Sequence, residues 1–451
     1  MTTMPPLKAP VSLDEAPSEG LPRRLGFWAT TAIVVGTIIG SGIFRVPATV
    51  ASEVGSPTAI AIVWVLGGVI SLCGALALAE LAAAYPASGG VFVYLRAAYG
   101  PLVAFLFGWT YLVLAPASVG AIALVFAEYL GTLIPLSPLG VRLVAATVLA
   151  LVGVAGYRSV RGLGSVVTVA SGAKIAAIVI LVIVAFLLGN GEAGALGPQA
   201  PVGEARWGGV GLGLVAALWA YNGFHDMVCV AGEVREPGRL LPRALLSGTL
   251  AVIAVYLAAN AAYLYVMPFD ALQRSPLVAS DTMVRVVGNG GAGLVAVMVM
   301  VSTFGAVAAL GLANPRVFYA MAGAGLLFAP LARVHPRFRT PHVAVVGHTA
   351  LALAFVWSHT FEQLTEAFIL GVWPFLALAV AGVIVLRRTQ PGLARPYLTP
   401  GYPVVPLVFV AATVWVVGSA LVARPLTTLA GIGFTLLGVP VYLLWKRAVR
   451  R

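Results

Sequence analysis

The chain has 451 residues, of which 60% are hydrophobic and 9% are charged, with a formal net charge of +12. Soluble domains carry about 25% charged residues, so this composition excludes a water-soluble globular protein. The apolar stretches are apolar on every face rather than alternating, which excludes an outer-membrane barrel. The composition therefore predicts an all-α polytopic membrane protein.

Twelve apolar runs follow one another along the chain and predict 12 transmembrane helices. They lie at residues 26–52, 58–85, 101–130, 142–157, 164–189, 208–232, 243–267, 291–322, 343–358, 362–386, 402–422 and 426–446. An even number of spans places both termini on one side of the membrane. Residues 1–24 carry no signal peptide, and their Pro, Ser and Glu content predicts a disordered tail.

The distribution of lysine and arginine predicts the orientation. Most of the 27 Lys and Arg residues fall in the tail, the C-terminal end or the loops on that side. Positively charged loops stay in the cytoplasm, so both termini are expected to be cytoplasmic. The positive net charge is therefore explained by the cytoplasmic loops of a protein in a lipid bilayer. No nucleic acid partner is expected.

Two of the runs are interrupted. Run one contains Gly36-Thr-Ile-Ile-Gly-Ser-Gly-Ile-Phe44, and run six contains Trp219-Ala-Tyr-Asn-Gly-Phe-His-Asp226. The runs are five apart, as the first helices of two five-helix halves would be. An odd number of helices per half inverts the second half in the membrane, which indicates an inverted-repeat transporter with its site at the breaks.

Short motifs spread along the chain carry a resemblance to a known family. They are Gly36–Phe44, Ala79–Leu81, Tyr85–Gly90, Ser171–Lys174, Ala231–Pro237, Leu241–Ala244, Ser302–Gly305, Asn314–Met321 and Arg395–Pro403. With these motifs, the chain resembles the amino acid–polyamine–organocation (APC) superfamily, and within it the L-type amino acid transporter branch and its bacterial relatives.

The resemblance implies the LeuT-type fold of five plus five inverted helices and two peripheral helices. The first repeat is expected at 25–190 and the second at 191–390. The peripheral helices and the cytoplasmic C-terminus are expected at 391–451.

A helix broken at mid-membrane can hold both charged groups of an amino acid. The half-helix that starts near Ser41 presents free N–H groups to a carboxylate, and the half that ends near Ile38 presents free C=O groups to an ammonium. Gly40 and Gly42 lack a Cβ, so the substrate can contact main chain. Alternatively, these glycines only permit close helix packing.

The resemblance supplies a fuller site. It implies that Ser41, Gly42 and Ile43 bind the carboxylate, while main-chain carbonyls of both breaks bind the amine. It also makes Trp219 an aromatic gate over the substrate, whereas an ordinary packed tryptophan is the alternative. The expected substrate-binding set is Ile38, Gly40, Ser41, Gly42, Ile43, Trp219, Ala220 and Asn222.

Lys174 is the most informative charge in the sequence. It lies about 15 Å from the nearer membrane face, too deep for its stem to reach water easily, so it should face protein or a cavity. The resemblance places it where sodium-coupled relatives bind Na⁺, and its ammonium would replace that ion. The alternatives are that it carries a coupling proton or is purely structural.

Polar and aromatic residues in other runs are further candidates for the pocket. His225 and Asp226 could tune pH dependence or attract a cationic substrate, or they could simply cap the second half-helix of run six. The remaining candidates are Pro116, Ser118, Ser302 and Trp373.

Other chemistry lacks sequence support. The chain has no metal-binding His-Glu-x-x-His, no Walker A motif and no Gly-x-Ser-x-Gly elbow. No catalytic residue, metal or cofactor is therefore expected, and the chain should not be an enzyme. Animal members of the branch attach to a heavy chain through a cysteine between helices three and four. Residues 131–141 contain no cysteine, so no disulfide-linked heavy chain is expected. The absence of this cysteine favours a monomer in a plasma membrane, in particular a bacterial inner membrane.

The predicted function is sodium-independent transport of amino acids with neutral side chains, by exchange or by facilitated alternating access. One alternative is a proton-coupled permease for cationic amino acids or polyamines. A second alternative is an amino acid sensor that does not transport.

Overall fold

In this computed structural model, the structure describes residues 23, 25–191, 207–359 and 361–449. Its α-helices are α1 Phe27–Ile38, α2 Gly42–Val54, α3 Pro57–Ala84, α4 Val91–Tyr99, α5 Pro101–Gly131, α6 Pro138–Arg158, α7 Val160–Leu188, α8 Val210–Tyr221, α9 Pro237–Val266, α10 Phe269–Arg274, α11 Val278–Val287, α12 Asn289–Ala313, α13 Pro315–Gly323, α14 His342–Ser358, α15 Phe361–Thr389, α16 Val404–Ala423 and α17 Pro425–Val449. Short 3₁₀ helices lie at Trp207–Gly209, Met227–Glu233 and Ala329–Ala332. Of the predicted tail, residues 1–22 and 24 lie outside the described residues.

Local sequence signals set many helix ends. Serines cap the starts of α3, α6 and α7, and the Ser56 hydroxyl, for example, accepts a hydrogen bond from the Ala59 N–H at 3.2 Å. Proline follows the cap in α3 and α6, where its missing N–H has no cost. α2 ends at Gly55, whose φ of 73° favours glycine.

Across the described ranges, ten helices are long and apolar enough to cross a membrane. One of them is the bent segment Phe27–Val54, which combines α1 and α2. Two shorter apolar helices, α8 and α14, coincide with predicted runs six and nine. The described chain forms no β-sheet, only an isolated bridge between Leu25 and Val234. The prediction of an all-α polytopic membrane protein is therefore confirmed at this level.

Helix packing brings the interrupted segments to the centre of the molecule. α1 packs between α7 and α9, and α2 packs along α8. α5 contacts α12, α14 and α15, and thereby forms the opposite wall. Three helices that the sequence did not predict, α4, α10 and α11, lie in the connections between the long helices.

Candidate functional site

The two interrupted segments meet main chain to main chain. The Thr37 hydroxyl lies 2.9 Å from the Gly223 carbonyl oxygen and can donate to it. A Cβ on Gly223 would lie 2.5 Å from the Thr37 carbonyl carbon, and its φ of +123° also requires glycine. The Tyr256 hydroxyl lies 3.1 Å from the carbonyl oxygens of both Ile38 and Ala220. The breaks are therefore held together by glycine contact and by shared hydroxyl donors.

A closed cavity lies at this junction. It is lined by Thr37, Ile38, Gly40, Ser41, Gly42, Tyr111, Ser118, Ile122, Trp219, Asn222, Asp226, Leu310, Asn314 and Phe368. Its volume of about 20 Å³ holds about one water molecule. An amino acid needs more room, so a bound substrate would require the walls to move apart.

Most of the residues predicted for substrate binding line this cavity. They are Ile38, Gly40, Ser41, Gly42, Trp219 and Asn222, with Ser118 and Asp226 from the wider set. Six other candidates are buried outside the lining: Ile43, Pro116, Ala220, His225, Ser302 and Trp373. Among these, the Ser302 hydroxyl is 3.4 Å from the Gly40 carbonyl oxygen, and Trp373 stacks on Phe409 with ring centroids 5.4 Å apart.

Three buried polar atoms of the lining have no hydrogen-bond partner within the described part of the chain. They are Ser41 Oγ, Asn222 Oδ1 and Asp226 Oδ2. A buried polar atom left without a partner costs about 1–3 kcal/mol. The Ser41 hydroxyl and the N–H groups at the start of α2 can donate to a carboxylate, while the other two oxygens can accept from an ammonium. The cavity thus offers partners for both charges of a zwitterion.

The glycines of the first break have different roles. A Cβ on Gly36 would lie 2.7 Å from Ser171 Oγ, and one on Gly42 would lie 2.5 Å from the Ala220 Cα. Both glycines therefore permit close helix packing. A Cβ on Gly40 would come no closer than 3.6 Å to Ala306, although Gly40 lines the cavity. Close helix packing therefore does not require glycine at position 40. The remaining explanation for glycine there is access to the cavity.

This difference predicts opposite outcomes for two neighbouring substitutions. Gly42→Ala forces α2 away from α8, so we expect a loss of about 1–3 kcal/mol in unfolding free energy. Gly40→Ala should keep the melting temperature in detergent but weaken amino acid binding, because its methyl group enters the cavity. Binding and thermal unfolding of both variants test this pair. Equal melting temperatures would contradict the packing argument.

Lys174 lies between α7 and the first break. The residue is 0% exposed, and its Nζ is 3.1 Å from the Gly36 carbonyl oxygen and 2.6 Å from the Ile39 carbonyl oxygen. These carbonyls belong to the end of α1, where the helix dipole is negative. A fixed ammonium therefore stabilises the end of the first half-helix.

Asp226 begins a buried polar chain across the site. Its Oδ1 lies 3.0 Å from the Tyr111 hydroxyl and 3.4 Å from His225 Nε2. The same hydroxyl lies 2.9 Å from Asn314 Oδ1, and Asn314 Nδ2 is 3.4 Å from His348 Nε2. Asp226 makes no side-chain cap to the helix that follows. Asp226 nevertheless occupies the N-cap position at the start of that helix, where it lines the cavity.

Run six differs from its prediction beyond the break. The sequence predicted a second half-helix, but residues Met227–Glu233 form a 3₁₀ helix. The Cys229 carbonyl accepts a hydrogen bond from the Gly89 N–H at 3.0 Å, so this carbonyl is used by the neighbouring loop. A Cβ on Gly90 would lie 2.9 Å from the Cys229 nitrogen, which shows how closely the two segments pack.

Aromatic residues close the cavity on one side. Trp219 makes edge contacts with Phe361 and Phe368 at centroid distances of 6.1 and 5.8 Å. Trp219 also lines a second cavity of about 170 Å³, together with Glu53 and Arg424. Trp219 therefore lies between the central cavity and this second one.

Ion pairs join helices elsewhere in the bundle. Arg316 Nε donates to Glu233 Oε1 at 3.0 Å, and both side chains are buried. Arg387 makes a two-point contact with the Glu80 carboxylate at 2.8 and 2.7 Å, and the Thr399 N–H donates to Glu80 at 2.7 Å. These contacts join helices from different parts of the bundle.

Sequence reasoning did not identify several lining residues. Tyr111 and Asn314 are polar residues within apolar runs, and that signal could have drawn attention to them. Ile122, Leu310 and Phe368 lie in helices of uniform apolarity, where no pattern distinguishes the cavity face. The side chains of neighbouring helices decide which face lines the site.

Comparison with known proteins agrees with this arrangement. Residues 25–441 match the profile described as "Amino acid permease". The chain is 31% identical over 432 residues to the "Serine/threonine exchanger SteT" of Bacillus subtilis (strain 168), covering 94% of this chain and 97% of that protein. It is 31% identical to the human "b(0,+)-type amino acid transporter 1", covering 92% of this chain and 86% of that protein. It is 30% identical to the human "Cystine/glutamate transporter", covering 95% and 87%.

These relatives are transporters rather than enzymes, as the sequence predicted for this chain. The match covers both breaks, Lys174 and the Glu233–Arg316 and Glu80–Arg387 ion pairs. The chain belongs to the amino acid permease family of the APC superfamily.

Proposed function

We propose that this protein exchanges amino acids across a plasma membrane without sodium. The observation that carries the proposal is the closed cavity at the junction of two interrupted helices, with unpartnered polar atoms of both kinds. Such a cavity suits the backbone of an amino acid, which needs donors for its carboxylate and acceptors for its ammonium. The relatives named as exchangers and transporters of amino acids support the same activity.

Lys174 supports the proposed sodium independence. Its ammonium already lies against the carbonyl oxygens of Gly36 and Ile39, where a cation would otherwise neutralise the end of α1. A permanently attached charge needs no ion from solution. Transport is therefore driven by the gradient of a second amino acid in exchange.

The proposed mechanism is alternating access in a LeuT-type fold. Twelve spans form two inverted repeats of five, at 25–190 and 191–390, followed by two peripheral spans. Spans one, two, six and seven rock against spans three, four, eight and nine. Trp219 closes the outer side over the substrate, and the Glu233–Arg316 and Glu80–Arg387 pairs close the inner side.

The proposed substrates have small neutral side chains. Trp219 occupies one wall of the cavity, and its bulk limits the length of a side chain that the opened site can hold. The serine and threonine named for the Bacillus relative are amino acids of this size. Uptake of labelled neutral, cationic and anionic amino acids into proteoliposomes tests this assignment. For each amino acid, the vesicles are loaded with the same compound in unlabelled form. Uptake confined to charged amino acids would overturn the neutral preference.

We expect Trp219→Ala to lower the exchange rate by about tenfold or more, while the substrate Kd changes much less. The loss of the indole removes the contacts with Phe361 and Phe368 and leaves the outer side open. Trp415→Ala is the matched control, because Trp415 is 46% exposed on the surface. Exchange assays and binding titrations measure the two quantities. An unchanged exchange rate in Trp219→Ala would remove the gate from the mechanism.

A proton-coupled permease for cationic amino acids is the second candidate. Asp226 favours it, because it is the only carboxylic acid among the described lining residues and its Oδ2 has no partner there. For neutral exchange, we expect Asp226→Asn to retain the rate within about threefold, whereas uptake of lysine would fall about 10–100-fold with the lost charge. Asp270→Asn in α10 is the control, because the Asp270 side chain is exposed and far along the chain from the lining residues. A loss of proton-driven uptake in Asp226→Asn alone would favour the second candidate.

The proposed location is a plasma membrane, of bacterial inner-membrane type, with both termini in the cytoplasm. The protein is proposed to act as a monomer without a disulfide-linked heavy chain. In support, Cys73 and Cys229 are both buried and free. Light scattering of the purified protein and cysteine labelling in intact cells test these assignments.

A further inference from the structure

A large basic cavity opens at the end of the molecule where α1 begins. Its volume is about 760 Å³. Its walls come from the start of α1, the junction of α6 and α7, the segment that follows run six, and the connection between α13 and α14. This cavity is separate from the central one, and the proposed function does not use it.

Four arginines line the cavity: Arg158, Arg235, Arg337 and Arg339. None of them forms an ion pair with an acid inside the described ranges. The one acid of the lining, Glu233, already binds Arg316 at 3.0 Å. Among the described residues, four positive charges therefore converge without an acid that compensates them, and this potential favours an anion with several oxygen atoms.

Besides the hydroxyl residues Ser159, Ser165 and Thr168, the lining has an apolar part that reaches the exposed surface. Leu25, Ala29 and Ile33 form one side, and Val169 forms another. Val169 is 74% exposed, and Trp28, next to the lining, is 79% exposed. An exposed tryptophan at a helix end is typical of the boundary between the acyl chains and the headgroups, and an exposed valine within α7 suits contact with the acyl chains. A free anion would use only the arginines, whereas a phospholipid would use both parts of the lining.

We propose that this cavity binds an anionic phospholipid, with its phosphate among the four arginines and an acyl chain along α1 and α7. The proposal rests on the proposed orientation, which places this end in the cytoplasmic leaflet, where anionic lipids attract basic clusters. It deepens the proposed transport function by adding a lipid that regulates it.

The position of the cavity gives the lipid an effect on the inner gate. The Leu25 N–H donates to the Glu233 carbonyl at 2.9 Å, and the Arg235 N–H donates to the Leu25 carbonyl at 2.9 Å. These bonds fasten the start of α1 to the segment beside the Glu233–Arg316 pair. A lipid that bridges this segment to Arg337 and Arg158 would hold the inner side closed, so its removal should alter the exchange rate.

The test uses the full-length protein in nanodiscs of phosphatidylcholine, with increasing phosphatidylglycerol, and native mass spectrometry to obtain the Kd of the bound lipid. Each arginine is expected to contribute about fivefold to this affinity, so Arg158→Gln combined with Arg337→Gln should weaken it about 25-fold. The matched control, Arg142→Gln with Arg285→Gln, removes the same charge from exposed positions at the predicted outer side and should leave the Kd unchanged.

A further competition experiment distinguishes a bound phospholipid from a bound soluble anion. Inorganic phosphate and glycerol 3-phosphate carry the same oxygens without acyl chains, and neither should displace the lipid at equal concentration. Displacement by either would overturn a lipid site in favour of a soluble anion site. If both double variants weakened lipid binding equally, net charge alone would explain the effect, and this result would also overturn the proposal. Because binding is measured without flux, its outcome does not depend on whether the exchange activity is found.

Discussion

Lys174→Ala is expected to lower the exchange rate about 100-fold, because hydrogen bonds from a charged donor contribute about 1.5–3 kcal/mol each. The substitution removes the buried ammonium from the carbonyl oxygens of Gly36 and Ile39. The end of α1 then lacks both a donor and a positive charge beside the first break. The rate of amino acid exchange in proteoliposomes measures this loss.

Two control variants separate charge from volume and from nonspecific effects. Lys174→Met keeps most of the side-chain volume without the charge, and we expect it to fail as Lys174→Ala does. Lys446→Ala removes an exposed lysine near the C-terminal end of α17 and should exchange at the wild-type rate. A wild-type rate in folded Lys174→Met would show that the charge has no role, and the account of sodium independence would then fail.

Gly223→Ala is expected to be the most destabilising substitution at the junction of the breaks. The methyl group would lie 2.5 Å from the Thr37 carbonyl carbon, and alanine would have to adopt a φ of +123°. The steric overlap and the backbone strain together predict a loss of about 2–5 kcal/mol in unfolding free energy. The accompanying loss of exchange should equal or exceed that of Lys174→Ala, since both breaks would be displaced.

Gly172→Ala is the matched control for this experiment. Gly172 lies within α7, and a Cβ there would have no heavy atom within 4 Å. Alanine favours helix over glycine by about 1 kcal/mol, so this variant should be at least as stable as the wild type. Thermal unfolding in detergent measures both variants. Equal melting temperatures for Gly223→Ala and Gly172→Ala would contradict the close contact between the breaks.

Hydrophobicity along the sequence predicted the long helices closely because each is a continuous apolar run. The second run was predicted at 58–85 and α3 is Pro57–Ala84, while the third was predicted at 101–130 and α5 is Pro101–Gly131. The short α4 was missed, since it mixes Arg96 with apolar residues and lies between the long runs. Its position depends on contacts with α5 and α15 that no local pattern contains.

The sequence predicted the site residues that act through the main chain at the helix breaks. It did not predict which side chains of the unbroken helices line the cavity, because that depends on which face of each helix points inward. Glycines and Ser41 in an apolar run signal an interruption, and Lys174 signals a buried partner, whichever way the helices rotate. Trp373 and Phe368 show the opposite case, because both are aromatic residues of α15. Only Phe368 lines the cavity, whereas Trp373 packs against Phe409 of α16. That difference is set by the rotation of α15 against its neighbours.

The most direct test of the central claim is amino acid exchange by the purified protein in proteoliposomes, with sodium replaced by choline on both sides. The account predicts rapid uptake of a labelled neutral amino acid into vesicles that contain unlabelled amino acid, little uptake into empty vesicles, and equal rates in sodium and choline. Uptake that requires sodium, or that is equally fast in empty vesicles, would contradict sodium-independent exchange through this site.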